Sequence, residues 1–164
     1  MSISLQKGQK VNLEKKGSAS LGEILVNLNW NSTPKKQGFL SSLLGGGEGI
    51  DLDLGCLYEL KDGRKGAVQA LGNAFGSLNN PPFISLDGDD RTGAAAAGEN
   101  LRINGDRLSD IKRVLVYTFI YEGVANWKQA DATVTIKYPG AEDIVVKMDT
   151  FNSSNIMCGL VLFE

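Results

Sequence analysis

The sequence predicts an all-β fold, a two-sheet antiparallel β-sandwich with long irregular loops. Three observations lead there. Short stretches alternate polar and apolar residues at a period of two along most of the 164 residues. Clusters rich in Gly, Asn, Asp and Pro separate them, and many short strands with such turns build sandwiches. No segment sustains the i, i+3, i+4, i+7 spacing with caps that an amphipathic helix needs. Ala94–Ala97 favours helix, but Gly93 and Gly98 flank it and one turn cannot hold a helix alone. The length suits one domain, residues 1–164, able to bury a core without staples.

Taken in order, Ser2–Leu5 and Lys10–Leu13 alternate and read as strands. Glu23–Trp30 puts Ile24, Val26, Leu28 and Trp30 on one face, the pattern of a half-buried strand. Residues 31–50 are expected to form a flexible Gly-rich loop, with Gly38–Gly49 too long for a hairpin turn. Asp51–Leu60 sets Leu52, Leu54, Cys56 and Tyr58 against Asp51, Asp53, Gly55, Leu57 and Glu59. Lys61-Asp62-Gly63-Arg64 reads as a hairpin turn, because Asp-Gly tolerates positive φ, and Ala67–Ala70 resumes a strand. Gly72–Pro82 looks like loop, Phe83–Leu86 a short strand, Asp87–Gly98 an acidic loop and Glu99–Ile103 another strand. Asn104–Asp110 reads as a turn. Ile111–Tyr121 is apolar on both faces, which predicts a central strand. Asp131–Tyr138, Asp143–Met148 and Met157–Phe163 complete the set.

Composition removes whole classes of function. The chain has 17 Lys+Arg against 19 Asp+Glu, a net charge of −2, and a pI near 5.2. Nucleic-acid binding driven by counterion release needs a basic surplus, so no nucleic-acid partner is expected. The absence of His removes Ser-His-Asp and Cys-His nucleophiles and the common histidine zinc sites. Oxygen chemistry remains: carboxylates and carbonyls, which suit Ca²⁺ or Mg²⁺. The Gly-rich stretches match neither GxxxxGK[ST] nor a strand-borne GxGxxG. Cys56 and Cys158 lie in apolar runs without CxxC spacing and read as reduced, buried thiols; a buried disulfide is the alternative. The N-terminus lacks the apolar core of a secretory signal, and the longest apolar run is too short to cross a bilayer. The expected compartment is the cytoplasm, a place on a membrane surface remaining open.

Two acidic constellations could hold a hard cation. In Asp51-Leu52-Asp53, residues two apart on a strand share a face, so two carboxylates project together and repel unless a cation sits between them. A solvated edge is the bland reading. Asp87-Gly88-Asp89-Asp90-Arg91-Thr92-Gly93, ending at Glu99, collects carboxylates with glycines that let carbonyls turn inward. An EF-hand register from Asp87 fails, because Thr92 stands where Gly is needed and Gly98 where Glu is needed. A polar loop of Asx-turns is the bland reading here. Phe39, Leu40, Leu43 and Leu44 beside Lys35 and Lys36 could dock on a partner or fold back as a flap.

These pieces together resemble the tellurium-resistance TerD family of bacterial stress proteins. Leu5-Gln6-Lys7-Gly8-Gln9-Lys10-Val11-Asn12-Leu13 resembles the family's opening L-x-K-G-x-x-V-x-L, and Ile24–Trp30 its apolar strand ending in Trp. Asp51-Leu52-Asp53 is similar to its D-L-D strand, Gly88–Gly93 to its G-D-N-x-T-G loop, and Ile111–Tyr121 to its following strand. The Gly-rich insert and Tyr121–Trp127 look most like the TerA-type branch. The resemblance implies a calcium-binding β-sandwich linked to tellurite and other chemical stress. It implies an assembly with related Ter proteins, one of them an integral membrane protein, which would bring the chain to the inner face of a membrane. By position it assigns the cation ligands to Asp51, Asp53, Asp89, Asp90 and Glu99; the acidic loop adds Asp87 and Gly88 as candidates. Ala94–Ala97 replace most of the polar and acidic positions with which the family loop usually continues. Fewer charged ligands weaken calcium affinity, so a weaker site, or one ion rather than two, is expected. Relatives usually run on past the position of Glu164, so the domain could lack a C-terminal segment.

The leading expectation is therefore a non-enzymatic calcium-binding module of a stress-resistance complex, without catalytic residues or an organic cofactor. The alternative is a scaffold or interaction domain with a decayed or single cation site. A third class, an enzyme using Cys56 and Cys158 for redox work on an oxyanion, has the least support.

Overall fold

In a computed structural model the described residues are 2–13, 21–31, 50–88, 98–123, 127–148 and 154–164. Their strands are β1 (Ser2–Ser4), β2 (Glu23–Asn29), β3 (Asp51–Leu60), β4 (Lys65–Gln69), β5 (Gly76–Ser77), β6 (Ile84–Leu86), β7 (Glu99–Asn104), β8 (Ile111–Glu122), β9 (Thr133–Lys137), β10 (Asp143–Lys147) and β11 (Met157–Phe163). They form a seven-stranded sheet, β1-β10-β9-β2-β7-β6-β5, and a four-stranded sheet, β11-β8-β3-β4. The all-β sandwich expected from alternation is the fold observed. Every strand pair is antiparallel except β1 with β10, which run parallel.

The core follows the period-two reading. Ile24, Val26 and Leu28 of β2 and Leu52, Leu54 and Cys56 of β3 are fully buried between the sheets, with Leu101, Ile103, Val114, Val116, Val134 and Ile136. Burying each such side chain contributes about 1.5–3 kcal/mol. β8 lies between β11 and β3, as its two apolar faces predict. Asp62-Gly63 makes the hairpin turn: Gly63 has φ +90° and its N–H donates to the Leu60 carbonyl. The loop expected over 31–50 falls outside the described residues for 32–49.

Several expectations need correction. Lys10–Leu13 forms no strand, because a turn at Gln6–Gln9 with Gly8 at φ +82° ends β1 first. A one-turn helix α1 (Trp127–Ala130) interrupts a chain read as helix-free. Trp127 and Ala130, one turn apart, are both buried, and the Trp127 indole donates to the Asn155 carbonyl at 2.8 Å. Gly76–Ser77 forms a short strand inside an expected loop. Cys158 is only half-buried, being on the edge strand β11.

Two bulges set the ends of the β3–β8 ladder. Between the Glu59–Arg113 and Leu60–Ile111 pairs Lys112 is the extra residue; between Asp51–Glu122 and Leu52–Ile120 it is Tyr121. The first bulge brings Lys112 and Arg113 together onto Glu59, at 2.9 and 2.7 Å. Hydrogen bonds from Lys112, then Arg113, hold the Glu59 carboxyl down from 4.5 to about 2. The ionised form is the one the fold favours, so this contribution is complete above pH 4.5 and is lost as the pH falls towards 2. Melting temperature should therefore fall more steeply across that window in the wild type than in Glu59→Gln. Parallel curves for the two proteins would overturn this assignment.

Candidate functional site

The site begins where β3 enters the sheet. The Trp30 indole donates to the Ile50 carbonyl at 3.1 Å, which pins the residue before Asp51. Leu52 and Leu54 then turn into the core, and this sets Asp51 and Asp53 together on the alternate face. Neither carboxylate is at the solvated edge of the bland reading: Asp51 is 7% and Asp53 5% exposed.

Glu99, the first residue of β7, turns inward with Leu101 and Ile103 and is 2% exposed. The last β3–β4 pair is Gly55 opposite Gln69, so Leu54 lies one residue beyond that ladder. Glu99 Oε2 accepts the Leu54 N–H at 2.6 Å. The carboxylate thus supplies the acceptor where β4 has ended, and ties the seven-stranded sheet to β3 immediately after Asp53. Gly98 makes this entry possible. Its φ is +61°, and a Cβ there would lie 2.1 Å from the Leu28 carbonyl oxygen at the end of β2.

Asp87 goes elsewhere. The Asp87 N–H donates to the Asn100 carbonyl, and both its carboxylate oxygens accept from Arg102 Nε at 2.7 Å. Arg102 also pairs with Glu23, and these two carboxylates raise the guanidinium pKa further. Asp87 is thereby engaged on the outer face of the seven-stranded sheet. Gly88 follows at φ +143°. Asp89 and Asp90 lie outside the described residues, as do Ala94–Ala97. Of the residues singled out in the sequence, Asp51, Asp53 and Glu99 share the β3 entry, and Asp87 is turned from it. Among the described residues no three such side chains form a metal-holding group. Their chemistry, oxygen-only and anionic, fits a hard divalent cation.

Arg102, the partner that engages Asp87, had no signal in the sequence. The β6–β7 register places it there, with Ser85 opposite Arg102. Tyr117 was read only as strand. It is buried opposite Gly55, its hydroxyl donates to Gln69, and burial above all raises its pKa. The thiols are free rather than bridged. Burial pushes Cys56 up to about 12 and raises Cys158, so both stay protonated and poorly nucleophilic at neutral pH.

Comparison with known proteins gives the chain its family. The TerD domain sequence model matches residues 1–138. The tellurium resistance protein TerA of an Alcaligenes species is 42% identical over 159 residues, covering 96% of this chain and 46% of TerA. The stress response protein SCP2 of Bacillus subtilis is 35% identical over 128 residues, 76% of this chain and 63% of SCP2. The tellurium resistance protein TerX of Serratia marcescens is 36% identical over 141 residues, 75% of this chain and 64% of TerX. The chain spans about half the length of TerA and under two thirds of SCP2 and TerX. With the family match covering most of its length, the chain belongs to the TerD-domain family.

Proposed function

We propose that this chain is a non-enzymatic calcium-binding module of a tellurite and chemical-stress resistance assembly. The observation that carries the reading is the pair Asp51 and Asp53, almost wholly buried on one face of β3 at its entry, with the equally buried Glu99 reaching the backbone of the next residue, Leu54. Two carboxylates on one strand face repel each other, and a divalent cation between them would cancel that repulsion. A donor set of oxygens alone selects Ca²⁺ over the softer metals. The chain has no His and its thiols are held protonated, which takes support from a redox or nucleophilic role. The tellurium resistance and stress response names of its relatives supply the context.

Asp51, Asp53 and Glu99 would hold the ion with help from the Gly88-Asp89-Asp90 stretch, at an affinity lowered by Ala94–Ala97. The partners would be other Ter-type proteins at the cytoplasmic face of a membrane, reached through a membrane-protein partner. Among the described residues no helix is long and apolar enough to cross a membrane. A second reading, a scaffold domain with a reduced or decayed site, is favoured by the engagement of Asp87 with Arg102.

Calorimetric titration with Ca²⁺ separates the two. The wild type should release or absorb heat and melt at a higher temperature with calcium at about 1 mM, by mass action. Asp51→Asn with Asp53→Asn should abolish both effects. No heat and no thermal shift in the wild type would sink the calcium reading in favour of the scaffold.

A further inference from the structure

The two sheets are closed along one side and open along the other. On the closed side a Gln69–Ala74 bridge carries the chain from β4 over to β5. On the other side the free edges are β1 and β11. The Leu5 N–H still donates to the Val145 carbonyl on β10, and Lys10 Nζ lies 3.7 Å from Glu164 Oε1, just past β11. The segment between them therefore crosses the opening. A cavity of about 1390 Å³ lies there, larger than the about 300–1,000 Å³ of ordinary ligand pockets. Leu5, Leu13, Val146, Cys158, Leu160 and Phe163 line it, and each is only half-buried although it packs against the core. None of the seven residues of β11 is fully buried. The sandwich thus leaves apolar wall uncovered where its two free edges face each other.

The rim is cationic in a chain of net charge −2. Lys7, Lys10, Lys112, Arg113 and Lys147 stand there against Glu164. Lys10 faces Glu164, and Lys112 and Arg113 share Glu59. Lys7 and Lys147 have no ion pair among the described residues. These two belong to one end of the opening. Continuing the β1–β10 register past Ser4–Val145 sets Leu5 beside Val146 and Gln6, the neighbour of Lys7, beside Lys147. Lys7 reaches inward: burial raises the Cys158 thiol pKa, and the Lys7 charge lowers it in part. An apolar wall with unpaired cations at one end complements a molecule that is apolar along its length and anionic at its tip. We propose that the opening between β1 and β11 binds a single-chain anionic amphiphile, a fatty carboxylate. Its chain lies along the inner side of β11, and its carboxylate meets Lys7 and Lys147.

Calorimetric titration of the full chain with laurate tests this. Chelator keeps laurate from precipitating as its calcium soap and makes the outcome independent of the calcium reading. Laurate should bind one to one with a Kd of about 1–100 µM. Dodecanol, the same chain without the charge, should bind about tenfold more weakly or worse. Labelling by N-ethylmaleimide locates the ligand, because Cys158 lines the cavity half-exposed whereas Cys56 is fully buried. Bound laurate should slow labelling of Cys158 about tenfold or more at saturation. Lys7→Glu should weaken laurate about tenfold and leave the melt unchanged, since that side chain is exposed and unpaired. Val146→Phe with Leu160→Phe fills the cavity and should abolish binding; if that pair does not fold, shielding of Cys158 in the wild type reads the same contact. No heat with laurate up to about 1 mM overturns the proposal. So does binding that leaves Cys158 labelling or the Lys7→Glu variant unaffected, or dodecanol binding as tightly as laurate. Shielding by phosphatidylglycerol vesicles but not by laurate overturns it in favour of docking on a membrane.

Discussion

Replacing Glu99 by Leu should destabilise the chain by about 1–3 kcal/mol, the cost of leaving a buried donor unsatisfied. Leu fills a similar volume but offers no acceptor to the Leu54 N–H, which lies one residue past the β3–β4 ladder. Relief of the carboxylate's own desolvation works against that cost, but a buried backbone donor has no way to neutralise itself, so the net sign is a loss. For a chain of this size the melting point should drop by about 2–4 °C per kcal/mol. Glu99→Gln keeps an amide oxygen for Leu54 and should melt near the wild type in chelator. It removes the charge, however, so the calcium-induced rise in melting temperature should vanish. Thermal melts of the three proteins with and without Ca²⁺ measure both effects. A Leu variant as stable as the wild type would remove the hydrogen bond from the account. A Gln variant with a full calcium shift would remove Glu99 from the ligands.

That pair of variants also shows which part of the site the sequence could reveal. Asp51 and Asp53 were legible because Leu52 and Leu54 alternate with them, and the core takes the apolar partners. Glu99 was legible only as a nearby acid; its bond to Leu54 joins residues 45 apart and depends on where β4 stops. Asp87 was read as a ligand because it stands beside Asp89 and Asp90 in the chain. The β6–β7 ladder instead delivers Arg102 beside it, a neighbour that proximity in sequence does not show. The two apolar faces of Ile111–Tyr121 predict a central strand. They do mark one, but Leu115 and Tyr121 are exposed, and the second face reports a surface patch. The helix at Trp127 was hidden because one turn has no period to detect.

Gly98→Ala is expected to have a larger effect than any change at the carboxylates, and it acts on them without removing one. At φ +61° an L-residue costs about 1–2 kcal/mol. The added methyl would also lie 2.1 Å from the Leu28 carbonyl oxygen and 3.3 Å from the Asn29 Cα. Both are backbone atoms of β2, the central strand that pairs β7 on one side and β9 on the other. No side-chain rotation relieves that overlap, so either β7 moves off β2 at its first pair, Leu28 with Glu99, or the entry backbone re-forms. Strain and overlap together should cost about 2–4 kcal/mol, measured by urea unfolding. Glu99 is the residue carried by the displaced pair, so its reach to Leu54 should fail as well, and calcium-induced stabilisation should fall even though Asp51, Asp53 and Glu99 are all present. By contrast, Gly88→Ala meets nothing within 4 Å, and at φ +143° it carries backbone strain without overlap. Its loss should therefore be smaller than that of Gly98→Ala. Equal losses from the two variants would mean that positive φ, rather than the closeness of β2 and β7, is what Gly98 provides.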